Sequence, residues 1–155
     1  LDYEITEINS EYAYKNLHLE IIPFEVDHYP VEPAYGYQIK ISDTEMEKKV
    51  VISGDTRKNE NLINHAMDAD ALVHEVFINL EFDENRMSKK TISNVRDYHT
   101  SPKEIGEIAK AANVKKLILT HFVPPVFDED FLTKEIRESY KGNVIIGEDL
   151  LTIEI

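Results

Sequence analysis

The chain has 155 residues, 42% of them hydrophobic and 30% charged, which is enough for one ordinary domain and too apolar for a disordered one. Its formal net charge of −13 argues against a surface built to collect nucleic-acid phosphates on lysine and arginine, and no stretch approaches the ~20 apolar residues of a membrane-spanning helix. With no cysteine, disulfides and thiolate metal sites are excluded, leaving histidine and carboxylate as ligands, which suits zinc, manganese or iron.

From the N-terminus, Leu17 to Val26 alternates as a half-buried strand in which Pro23 marks an edge or a bulge. Tyr35 to Ile41 and Lys48 to Ile52 flank the polar turn Ser42-Asp43-Thr44-Glu45 and form a hairpin. Asn61 to Met67 carries a helical stripe of Leu62, Ile63 and Ala66, and Ala71 to Val73 is the next strand. Arg86, Lys89, Lys90 and Arg96 crowd one segment, either as a solvated loop face or as a place for a small anion. Ser101-Pro102-Lys103-Glu104 has the pattern of a capping box with proline at the first helical position, and Ile105, Ile108, Ala109 and Ala112 share the face that follows. Lys115 to Thr120 is a buried strand, and Asp130 to Tyr140 a helix that ends near Gly142. Val144 to Ile146 and Leu150 to Ile155 are expected as two closing strands. This order of elements predicts a mixed sheet with helices on one face.

Three apolar runs end on groups with chemistry: Val50-Val51-Ile52-Ser53-Gly54-Asp55, Ala71-Leu72-Val73-His74-Glu75 and Lys116-Leu117-Ile118-Leu119-Thr120-His121. As neighbouring parallel strands they bring Asp55, His74 and His121 to one sheet edge, where α/β folds place ligands. Gly54 permits a sharp turn that presents Asp55 outward, although an aspartate there serves equally as a helix N-cap. His74 and Glu75 are costly to bury side by side unless partners satisfy them. His99-Thr100 precedes the capped helix, whose N-terminal amides favour an anion. His18 and His65 read as ordinary surface or strand residues.

Taken together, His28 through Gly36-Tyr37, Ser53-Gly54-Asp55-Thr56, Ala71-Leu72-Val73-His74-Glu75, His99-Thr100-Ser101 and Leu119-Thr120-His121-Phe122 resemble the C-terminal half of a metallo-β-lactamase-fold hydrolase. The similarity is to the ribonuclease Z and arylsulfatase-like branch. The resemblance implies half of an αββα sandwich and a site for two divalent metal ions, zinc foremost. In it Asp55 bridges the ions and His121 is the last histidine ligand. His99 contacts the scissile group and protonates the leaving oxygen, Glu75 orients His99, and His74 supports the catalytic set. His28 and Thr100 fall on the substrate side.

The hallmark His-x-His-x-Asp-His of that family is absent, so two expected ligands would leave an ion mostly in water. The expectation is therefore a single domain over 1–155, truncated from a longer hydrolase and inactive alone. The chain opens on Leu1 rather than methionine, in keeping with a missing natural start, and a cytoplasmic location is expected. The parent would cleave a phosphodiester, sulfate ester or related bond through a metal-activated hydroxide. The acidic surface favours a small anionic ester, with RNA as the other candidate. The uncovered sheet face predicts a homo-oligomer or association with another chain. The contrasting possibility is a non-catalytic interaction or dimerisation module that has kept the fold.

Overall fold

A computed structural model describes Glu7 and residues 13–43, 46–78 and 88–155. The chain forms β1 (Tyr14–Lys15), β2 (Leu19–Val26), β3 (Ala34–Ser42), β4 (Glu47–Ile52), α1 (Glu60–Ala66) and β5 (Ala71–Phe77). It continues with α2 (Lys89–Asp97), α3 (Pro102–Ala111), β6 (Lys116–Val123), α4 (Glu129–Arg137) and β7 (Asn143–Ile146). The strands make one seven-stranded sheet in sequence order. β1 to β4 pair antiparallel, and β4 to β7 pair parallel through helical crossovers.

Each helix start has a chemical cause. Asn59, Ser88 and Asp128 cap α1, α2 and α4 by accepting from backbone N–H groups that have no partner within the helix. Ser101 and Glu104 close the expected capping box in both directions. Ile105, Ile108 and Ala109 of α3 are fully buried, as is Ala112 at its C-cap. With Leu62 and Ala66 of α1 and Leu132 and Ile136 of α4, they cover the sheet face formed by Phe24, Val51, Leu72, Leu117 and Leu119. Each fully buried leucine or isoleucine contributes about 1.5–3 kcal/mol.

The opposite face is apolar along Ile39, Val50, Val73, Ile118 and Ile145, and Ile153 packs against it. This is half a sandwich, with helices on one side of the sheet. Among the described residues β1 pairs only with Glu20 and Ile21, so Pro23 lies on an unpaired edge of β2 there.

Three expectations change. Leu150 to Ile155 is not a strand: Leu150 has φ 67°, outside the extended region, and the segment instead lays Ile153 across the open sheet face. The basic segment holds α2, with Lys89, Lys90 and Arg96 exposed on it, while Arg86 lies outside the described residues. The helix expected from Asp130 to Tyr140 stops at Arg137, and the buried Tyr140 donates its hydroxyl to the Val114 carbonyl at 2.9 Å. The turn residues Thr44 and Glu45 also lie outside the described residues.

Candidate metal centre

β4, β5 and β6 are parallel neighbours, and the chain segments leaving β4 and β6 meet at one end of the sheet. Beyond β4, the Ser53 N–H donates to the Val73 carbonyl at 2.9 Å and extends the ladder by one residue. Gly54 then turns at φ 62°, where an added Cβ would lie 2.5 Å from the Tyr35 carbonyl oxygen, so the turn excludes any side chain. The carboxylate of Asp55 emerges half-exposed. It does not cap α1, a place taken by Asn59.

His121 is presented by a different device. Glu75 pairs with Thr120 and Val76 with Phe122, so His121 is the extra residue of a β-bulge, and its φ is 45°. Left-handed backbone at a non-glycine residue is strained, and bulges re-aim side chains beside functional sites. Nδ1 of His121 stands 3.5 Å from Oδ1 of Asp55, with both side chains open to solvent. Ligand bonds of about 2.0–2.2 Å in tetrahedral geometry put two donor atoms about 3.3–3.5 Å apart, so one ion fits between them.

Glu75 is buried between the two exits. Its Oε1 accepts from the Thr100 N–H at 2.8 Å and, at 3.5 Å, faces the Thr56 N–H. Its Oε2 lies 3.2 Å from Nδ1 of His99, an ion-pair distance without the alignment of a hydrogen bond. The His99 ring stacks 5.7 Å from that of His121, and Glu75, His99 and His121 each offer a ligand atom within 4.8 Å of the others. His28, Asp55 and His99 form a second such group. The His28 ring meets His99 edge-on at 5.3 Å, and burial pushes its pKa down, with His99 adding to the effect. His28 Nε2 is buried without a hydrogen-bond partner among the described residues. Nitrogen and carboxylate donors turned toward one another, some of them unpartnered, suit a borderline divalent cation.

Two expected site residues take other places. His74 does not reach the sheet edge: it is fully buried within β5, and its Nδ1 lies 2.6 Å from the Glu75 carbonyl. Burial pushes its pKa down. Thr100 is also fully buried, its hydroxyl donating to the Thr56 carbonyl at 2.5 Å, so it has no exposed atom to offer a substrate. Sequence reasoning passed over Tyr98, whose ring contacts both His28 and His99, and Arg57, which pairs with Asp27. An aromatic residue beside His99 and a basic residue two after Asp55 were the only signals.

This half-sandwich with histidines and carboxylates at one sheet end is a metallo-β-lactamase fold. The structure resembles the metallo-β-lactamase fold protein YhfI from Bacillus subtilis, with a TM-score of 0.67 and 26% identity, covering 91% of this chain and 52% of that one. It also resembles human tRNase Z, short form, with a TM-score of 0.59 and 20% identity over 93% of this chain and 46% of that one. In sequence it is 32% identical over 132 residues to a ribonuclease Z of Mycobacterium bovis, and 29% identical over 154 residues to one of Mycobacterium sp.. These matches cover 83% and 98% of this chain but 45% and 52% of those proteins, so the chain spans about half the length of the curated relatives it matches. No protein-family model matches the sequence. The chain is a ribonuclease Z-like protein of the metallo-β-lactamase fold.

Proposed function

We propose that residues 1–155 form the C-terminal half of a metal-dependent hydrolase that cleaves a phosphodiester bond in RNA, and that this half is inactive alone. The observation that carries the reading is the 3.5 Å approach of Asp55 to His121 across two strand ends. The relatives named ribonuclease Z favour RNA as the substrate. Among the described residues the arrangement offers only part of a two-ion site, and on this reading the remaining ligands come from elsewhere in a longer polypeptide.

Bound divalent ions, zinc being the best match to the donors, would supply Lewis acidity toward a phosphoryl oxygen and an activated water. Asp55 and His121 are the residues of this chain that would hold them. Oε2 of Glu75 lies 3.2 Å from Nδ1 of His99 and would orient the ring, so that its other nitrogen can serve as the proton donor to the departing oxygen. Thr100 and Thr56 fix Glu75 in turn by donating their backbone N–H groups to its other oxygen, the Thr56 contact being the longer. Thr100 and His74 support this set from the core, and His28 borders the substrate side.

A small anionic ester is the second reading, favoured by the net charge of −13 and by Glu148 and Asp149, which line the cleft beside His121. Such carboxylates repel a polyanion more than a compact monoanion. The apolar sheet face opposite the helices is where the rest of the polypeptide, or a second copy, would pack.

The test uses the full-length protein, with metal content measured beside hydrolysis of RNA and of a small diester. Asp55→Ala and His121→Ala are expected to lose both metal and turnover, and His99→Ala to lose turnover while metal stays. Equal metal loss at all three positions contradicts the role given to His99. A full-length protein with neither metal nor turnover supports the non-catalytic interaction module instead.

A further inference from the structure

Arg57 ties together the three chain segments that carry His28, Asp55 and His99. It follows Asp55 by two residues, and its guanidinium reaches acceptors 28 to 40 positions away in sequence. Nη1 pairs with the Asp27 carboxylate at 2.5 Å, Nη2 donates to the Tyr29 carbonyl at 3.1 Å, and Nε donates to the Asp97 carbonyl. The Arg57 backbone N–H adds a bond to the Asp27 carbonyl at 2.8 Å. Asp27 and Tyr29 flank His28, while Asp97 ends α2, two residues before His99.

Both fastened segments have few apolar anchors of their own, although the Thr56 hydroxyl also reaches the Asp27 carbonyl at 3.3 Å and Thr100, next to His99, bonds Glu75 and Thr56. Tyr29 and Val31 are largely exposed, so the loop after β2 has a small apolar anchor. α2 is mostly polar, and Ile92 is its buried residue. Yet the His28 and His99 rings meet at 5.3 Å and 72°, with Tyr98 against both, which requires the loop and the end of α2 to be registered to each other. The Arg57 side chain hydrogen-bonds to both segments at once.

We propose that Arg57 is a positioning residue for the reaction, its guanidinium holding the His28 loop and the α2–His99 junction in the register that lets His99 act. A planar fork with diverging donors can serve three separated acceptors at once, whereas an ammonium is a single point of charge. Arg57→Lys is therefore expected to behave more like Arg57→Ala than like the wild type. Misplacing a catalytic group by about 1 Å costs up to about 100-fold in rate.

The kinetic arm of the test rests on the hydrolase reading; the structural arm does not. In the full-length protein, Arg57→Ala is expected to keep its metal and lose about 10- to 100-fold in kcat, with a smaller change in KM. In a His99→Ala background the same substitution is expected to cost little further, because groups that act as a unit are not additive. Crystal structures of the wild type and Arg57→Ala give the second readout, with the His28 and His99 rings expected to separate. Losses that multiply in the double variant, or rings that keep their contact in Arg57→Ala, overturn the proposal. If the wild type shows no turnover, the hydrolase reading fails and the ring geometry alone decides the part played by Arg57.

Discussion

Glu75 separates the stability of the site from its chemistry. It is 2% exposed, and its two oxygens do different things: Oε1 takes the buried Thr100 N–H at 2.8 Å, and Oε2 faces Nδ1 of His99 at 3.2 Å. Glu75→Ala strands the Thr100 N–H in the interior. An unsatisfied buried donor costs about 1–3 kcal/mol, and the 3.5 Å contact with Thr56 is too long to add much. Glu75→Gln keeps the Oε1 acceptor, so stability should stay within about 1 kcal/mol of wild type. It replaces the carboxylate oxygen facing Nδ1 of His99 with an amide group, disturbing the contact that orients the ring. General acid–base catalysis contributes about 10²–10⁴-fold, so kcat should fall by that factor, or about 2.7–5.5 kcal/mol in barrier. Urea unfolding together with initial rates on a chromogenic phosphodiester, in the full-length protein, reads both quantities. Full turnover in Glu75→Gln would falsify the pairing with His99. Equal destabilisation of the Gln and Ala variants would show that Oε1 does not anchor the Thr100 backbone.

Thr100→Val removes the hydroxyl bond to the buried Thr56 carbonyl and should cost about 1 kcal/mol by chemical unfolding while leaving KM unchanged; a raised KM with unchanged stability would return Thr100 to the substrate. Folding should also depend on pH through His65 and His74. Burial depresses both below their ordinary value of 6.5, His65 where it stacks on Phe24 and His74 within β5. The unfolded chain then binds more protons than the folded one below about pH 6.5, so their stabilisation is complete above that value and lost as pH falls through the folded-state pKa. Urea midpoints taken from pH 8 downward should decline below about pH 6.5, and less steeply in His65→Gln. A flat profile in wild type would contradict the lowered pKa of these rings.

Much of the layout is legible in the residues because it follows from local rules. Ser101, Pro102 and Glu104 specify the start of α3 by their own hydrogen-bonding groups, and the apolar runs before Asp55 and His121 specify two buried parallel strands. α2 stayed hidden because Lys-Lys-Thr-Ile-Ser-Asn-Val-Arg-Asp buries little more than Ile92 and so leaves almost no apolar period to read. Leu150 to Ile155 looked like a strand because alternation alone does not reveal a residue at φ 67°.

The sequence by itself determined the donor chemistry, histidine and carboxylate without thiolate, and the strand ends from which Asp55 and His121 leave. Tertiary structure decided which of those groups meet. Side chains alternate along a strand and a bulge shifts that alternation by one, so the bulge at His121 turns its ring to Asp55, while the intact ladder at His74 keeps that ring in the core. The clamp through Arg57 depends on loops 28 to 40 residues apart, a separation over which local sequence pattern carries no information.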